Sequence, residues 1–149
     1  MIELGHYALT LSLGTALIQV LLSAYGAYAR ELRSIDLSVR AGKIGFYLLS
    51  LAFVALVAGF LYNDFSVKYI AVNSNAYLPW YYKISAVWSG HEGSLLLWVW
   101  ILSLWIYWAA VRTPDLPPHF RAKVFAVLGV VAAGFIAFVL FTSNPFERL

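Results

Sequence analysis

The chain of 149 residues is 62% hydrophobic and 17% aromatic, carries charge on only 11% of its residues and has a formal net charge of +3. Soluble domains carry roughly a quarter charged residues, so an ordinary soluble domain is excluded. With no cysteine, a disulfide framework and a thiolate metal or redox site are excluded as well.

Gly5 to Ala29 is the first of four blocks free of Asp, Glu, Lys and Arg; the others are Ile44 to Tyr62, Ser94 to Val111 and Val124 to Thr142. Each is about 18 to 25 residues long, enough for a helix to cross about 30 Å of hydrocarbon. The sequence therefore predicts an all-α, polytopic integral membrane protein, a single membrane domain with spans at about 5–29, 44–62, 94–111 and 124–142. The first block is too long for a signal peptide and lacks a basic leader and a small-residue cleavage site, so it is expected to remain as the first helix.

Between the first two blocks, RELRSIDLSVRAGK reads as a loop with Arg30, Arg33, Arg40 and Lys43. Between the last two, RTPDLPPHFRAK carries Arg112, Arg121 and Lys123. The other side holds only Lys68, Lys83 and Arg148 besides the N-terminal amine. The positive-inside rule places both basic loops in the cytoplasm. Both termini and the segment 63–93 then face outward, to the periplasm in a Gram-negative source. The cations follow topology and give no argument for nucleic acid as a partner.

The outer segment NDFSVKYIAVNSNAYLPWYYKISAVWSGHEG is the most informative. Phe65 to Val72 reads either as an extended run or as a short helix, and Asn73-Ser74-Asn75 is a turn signal. Pro79 suits the first turn of a helix. Trp80, Ile84, Val87 and Trp88 then recur at helical spacing, with Tyr81 and Ser85 elsewhere on the wheel. That pattern predicts an amphipathic helix from Pro79 to Trp88 lying on the outer membrane surface, in contact with lipid. Gly90 and Gly93 loosen the backbone, and Ser94 suits the N-cap of the third span. Glu92 would then stand just outside that helix's positive end, which favours a carboxylate.

His91-Glu92 invites a zinc-protease reading, but the second histidine that motif needs one turn later is Leu95. Ligation by His6, His91, Glu92 and Asp64 together has no spacing to demand it, so no metal site is assigned. There is no phosphate-cradling glycine loop and no nucleophile elbow, and no catalytic residue is assigned. Trp98, Leu102 (or Ile101), Trp105 and Trp108 share one face of the third span. Such a wall suits a flat apolar ligand, a neighbouring helix or lipid, and packing is the more frequent use. The spans hold no ionisable residue of the kind ion-coupled carriers use, and Gln19 is their main polar handle. GVVAAG, residues 129–134, supplies small residues that let helices approach closely.

The run NDFSVKYIAVNSNAYLPWYYKISAVWSGHEGSLLLW, residues 63–98, resembles the N-terminal region of the CcmF-type cytochrome c haem lyases, a family that includes NrfE-type relatives. The resemblance rests on Asp64, Asn73, Ser74, Asn75, Pro79, Tyr82, Lys83, Trp88, His91, Glu92, Gly93, Ser94 and Trp98, and again on FTSNPF at 141–146. Ser89 departs from it, since the family more often has glycine there. The resemblance implies a bacterial inner-membrane component of cytochrome c maturation. Such proteins act with haem chaperones and join haem covalently to the CxxCH cysteines of apocytochrome c. The family's tryptophan-rich WWD segment and its haem-ligating histidines find no match in these residues. The chain is thus expected to be the N-terminal part, or a split subunit, of a larger lyase, with haem bound by the full complex and no catalysis by this chain alone. Trp88, His91, Glu92 and Trp98 are the candidate contacts to haem or a partner, His91 and Glu92 serving equally as a structural brace. The alternatives are a structural helical subunit of another membrane complex and a haem-transport component.

Overall fold

Apolar stretches of this length satisfy their backbone polar groups in lipid only by coiling. The computed structural model describes residues 2–112 and 115–147, so Arg148, counted above with the outer cations, lies outside the described residues. These residues form α1 (Ile2–Ala29), α2 (Leu32–Leu61), α3 (Lys68–Asn73), α4 (Trp80–Ala86), α5 (His91–Arg112) and α6 (Pro118–Phe141). Four of them, α1, α2, α5 and α6, are long and apolar enough to cross a membrane. Leu17, Ile18 and Leu21 on α1 and Val127, Val130 and Phe135 on α6 stand exposed, which suits surfaces that meet lipid or further helices rather than water.

The helices outrun the apolar blocks. α2 begins at Leu32, so most of the segment read as the first basic loop is helical and the link from α1 shrinks to Arg30 and Glu31. Ile35, Ser38, Val39 and Gly42 recur at helical spacing and are buried, while Arg33, Asp36 and Arg40 stay exposed. Charge interrupts the hydropathy of that stretch without interrupting its period. At about 1.5 Å per residue, the 30 residues of α2 outreach the hydrocarbon, so its first three turns carry the charges at its edge.

Both helix ends flanking this hairpin use left-handed residues. Asn63 has φ 57°, and the N–H groups of Asp64 and Asn63 return to the carbonyls of Gly59 and Phe60 at 3.0 and 3.3 Å, a Schellman close. Arg30, with φ 55°, plays the same part for α1, where the Glu31 N–H reaches Gly26 O at 3.2 Å. Asparagine tolerates this region well; an arginine there costs about 1 kcal/mol.

α1 packs along α2 and α6, α2 packs on α5, and α5 and α6 meet each other only loosely. Leu9, Leu56, Phe60, Leu96, Phe125 and Ile136 are fully buried along the length of the bundle. Gln19 is buried among them, and its Nε2 donates to Phe125 O on α6 at 2.9 Å. Gly42 and Gly129 make room for it, since a Cβ at either would press on the Gln19 amide at 3.1 to 3.3 Å. Interhelical bonds of this kind are worth about 0.6 to 2 kcal/mol in membranes.

The start of α1 and the segment after α6 meet α3 at one end of the bundle, the capped end. There Lys68 N–H bonds Glu147 O at 2.9 Å, and the ring of Phe146 lies against Gly5. The α1–α2 link and the start of α6 come together at the other, basic end. α3 resolves the ambiguity over Phe65 to Val72 in favour of a short helix, seated by the buried Val67 and Ile70. Asn75 makes the turn that follows, its Oδ1 accepting from Tyr77 N–H at 2.9 Å. α4 covers Trp80–Ala86, with Pro79 as its N-cap, and packs on α2.

Candidate functional site

The start of α5 is set by close approach. Ser94 N–H bonds Gly90 O at 3.0 Å, so the helix begins at His91, Glu92 lies inside its first turn, and Ser94 is not the cap. A first-turn carboxylate keeps the favourable sense toward the helix dipole. Gly93 admits no side chain, because a Cβ there would collide with Val87 O and the Tyr69 hydroxyl.

Tyr69 is the residue that sequence reasoning missed. It is 5% exposed, its hydroxyl donates to Val87 O at 2.8 Å and accepts from Gly90 N–H at 3.0 Å, and its ring meets Phe60 edge-on at 5.7 Å. Burial pushes its phenol above the ordinary value and the Glu92 charge adds to that, while the backbone N–H groups of Gly90 and Gly93 pull the other way. The available signal was the pair of glycines around His91-Glu92, which marks a place where something large comes close.

His91 Nε2 shares a hydrogen bond of 3.0 Å with Ser143 Oγ, and its ring stands edge-on to Phe138 at 6.4 Å. One residue on, Asn144 Oδ1 accepts from Phe146 N–H at 2.9 Å, which turns Nδ2 toward His6 Nδ1 at 3.3 Å. The two histidines thus hold neighbouring residues of the segment that follows α6. Beside them a polar cleft of about 190 Å³ is lined by Lys68, Tyr69, Asn73, Glu92, Asn144 and Glu147.

The remaining candidates lie further out. Trp88, 41% exposed, sits on the turn between α4 and α5. Trp98 is 64% exposed and, with Leu102, Trp105, Val131 and Phe135, lines an apolar groove of about 500 Å³ between α5 and α6. Trp108 stands edge-on to Trp105 at 5.7 Å, outside that lining. Trp100 faces away, its Nε1 donating to Ser50 Oγ on α2 at 2.8 Å. On α4, exposure does not separate the two expected faces: Trp80 and Trp88 are open, and so are Tyr81 and Ser85. What turns inward is Lys83, 8% exposed, together with Ala86 and, just beyond, Val87. Among the described residues no three His, Asp or Glu side chains gather as a metal site.

Among the described residues, the cavity that His6 lines does not include His91, and the groove at Trp98 is walled by Leu, Ile, Val, Phe and Trp side chains, none of which ligates iron.

Four apolar spans with one end knitted by short helices define a multi-pass membrane protein, and its relatives are bacterial. More particularly, the chain is a relative of one region of the cytochrome c-type biogenesis proteins CcmF. It is 47% identical over 146 residues to CcmF of Haemophilus influenzae, covering 98% of this chain and 22% of that protein. Identity to CcmF of Pseudomonas aeruginosa is 48% over 147 residues, covering 99% of this chain and 22% of the relative. A solved structure, Cytochrome c Heme Lyase CcmF, matches with TM-score 0.94 at 28% identity, covering 99% of this chain and 25% of that one. The chain therefore spans 22 to 25% of the length of the proteins it matches. No family profile matches it.

Proposed function

We propose that the chain is the four-span platform of a CcmF-type cytochrome c haem lyase. It is the N-terminal part of that protein or a split subunit of it, supporting haem handling and covalent haem attachment to apocytochrome c. The capped end faces outward, to the periplasm, and the basic end faces the cytoplasm of an inner-membrane protein. The iron ligands and the WWD segment come from the rest of the lyase, and a haem chaperone and apocytochrome c are the further partners.

One observation carries this reading. The two stretches whose motifs carry the family resemblance most specifically, 63–98 and 141–146, meet at the capped end, through His91 with Ser143. The same face presents the polar cleft with Lys68 and Glu92, leaves Trp88 open, and borders the start of the Trp98 groove. In this role His91 braces the surface on which haem is handled, Glu92 lends that surface its charge, and Trp88 and Trp98 offer apolar contact. α4 lies along the outer leaflet, with Pro79 starting it and Trp80, Ile84 and Trp88 meeting lipid or a partner.

The test is holocytochrome c yield in cells carrying the complete lyase. His91→Ala should lower the yield several-fold while His119→Ala, at the basic end, leaves it unchanged. An immunoblot of the lyase in the same membranes separates lost assembly from lost chemistry. Equal yields from the two variants would sink the assignment of His91 to the working face.

A further inference from the structure

At the basic end, the α1–α2 link and the start of α6 enclose a cleft of about 350 Å³ lined by Arg30, Leu32, Ile35, Pro118 and His119. Two features set it apart from an ordinary basic surface. Arg30 holds a left-handed backbone, a place glycine takes without strain, so the arginine is explained by its side chain and not by the turn. Arg121, near the start of α6, is committed: its Nη2 donates to Ala110 O at 2.6 Å and its guanidinium lies 5.7 Å from the Phe125 ring. Arg30 has no such acceptor among the described residues. Glu31 and Asp36 are close in sequence but do not line the cleft.

α1 carries no charged side chain from Gly5 to Ala29, so Arg30 stands where its apolar stretch ends. Tyr28 on α1 and Phe120 on α6, 91% and 53% exposed, are aromatic rings of the kind found at headgroup level. Leu32, open, and Ile35, buried, give one wall of the cleft an apolar surface.

We propose that this cleft binds the phosphate of an anionic phospholipid. The Arg30 guanidinium supplies a planar fork of donors to the phosphate oxygens, a His119 ring N–H adds another, and the open Leu32 receives the first methylenes of the acyl chain. The site is separate from the capped end, and it stands or falls independently of the lyase reading.

Native mass spectrometry of the detergent-solubilised chain tests it, with phosphatidylglycerol, phosphatidylcholine and inorganic phosphate as probes. Phosphatidylglycerol should be retained over phosphatidylcholine, and Arg30→Gly should reduce that retention about fivefold, the contribution of one interfacial cation. Arg30→Lys should keep most of it. Glycine suits the left-handed position, so Arg30→Gly should melt no lower than the parent; His119→Gln is a second variant, expected to weaken retention more mildly. Undiminished retention of phosphatidylglycerol by Arg30→Gly would overturn the proposal. So would binding of inorganic phosphate that depends on Arg30 without preference for phosphatidylglycerol, which would assign the cleft to a soluble anion.

Discussion

His91 and Ser143, 52 positions apart, share a hydrogen bond of 3.0 Å between Nε2 and Oγ. It ties the first residue of α5 to the turn that closes α6, the two helices that otherwise meet only loosely. Ser143 is 5% exposed while His91 is exposed, so the bond is partly shielded from water. A bond of this kind contributes about 0.5 to 1.5 kcal/mol. Ser143→Ala should destabilise the detergent-solubilised protein by that amount, and His91→Ala by somewhat more, because the ring also loses its contact with Phe138. A double-mutant cycle on denaturant unfolding should give a coupling of at least about 0.5 kcal/mol. Strictly additive effects would mean that the bond holds nothing.

Gly93→Ala should be far more severe than its single added methyl suggests. The new Cβ would strike both Val87 O and the Tyr69 hydroxyl, and the former is backbone that cannot swing aside. α5 would have to back away from α3, breaking the pair of bonds that Tyr69 makes to Val87 and Gly90. The expected loss is on the order of 2 to 4 kcal/mol, the range for overpacking plus an orphaned buried hydroxyl. Tyr69→Phe, which removes the hydroxyl and keeps the ring, should cost less and should partly relieve Gly93→Ala. A Gly93→Ala protein that melts with the parent would show that the junction is softer than its geometry.

Some of this was open to reading from the sequence and some was not, for physical reasons. Four spans are legible because membrane insertion depends on local hydropathy, which a single segment carries by itself. The early start of α2 is hidden because Arg33, Asp36 and Arg40 dominate any composition count, while the period of Ile35, Val39 and Gly42 shows only on the wheel. His91 and Glu92 draw notice as titratable groups beside an apolar span, but what surrounds them comes from other elements: Ser143 bonds His91, and Glu92 lines a cleft with Lys68 and Glu147. Tyr69 is the clearest loss. In KYIAVN nothing singles it out, and only the fold brings Gly90 and Gly93 onto its ring. Ser143 and Asn144 were visible as part of FTSNPF, through resemblance, with no physical signal of what they hold.

Topology gives a third prediction. The α1–α2 link and the start of α6 share one end of the bundle, and α3, the start of α1 and the segment after α6 share the other. Paired phosphatase and fluorescent-protein fusions should report cytoplasm after Arg33 and after Asp115, and the outer compartment near Asn75. A cytoplasmic Asn75 would invert the orientation, and with it the assignment of the capped end to haem chemistry.

The isolated chain, expressed without the rest of the lyase, should insert as four helices yet hold no stoichiometric haem. Bis-histidine ligation needs two imidazoles facing one cavity. His119 lies at the basic end, so only His6 and His91 are available at the other. Each of these is turned to its own neighbour, His91 through Nε2 to Ser143 and His6 through Nδ1 to Asn144, and the cavity that His6 lines does not include His91. Each ring keeps its second nitrogen, His91 Nδ1 and His6 Nε2, so it is their separate placement, and not the two bonds, that keeps one iron from joining them. The groove at Trp98 and Trp105 has room for a flat ring, but its walls are Leu, Ile, Val, Phe and Trp, and stacking gives no bond to iron. Co-expression with the remainder of a CcmF-type lyase should restore haem to the complex. The measurement is the visible spectrum and pyridine haemochrome of purified residues 1–149. A one-to-one bis-histidine spectrum, abolished by either His6→Ala or His91→Ala, would place the cofactor in this chain and overturn the division of labour proposed for it.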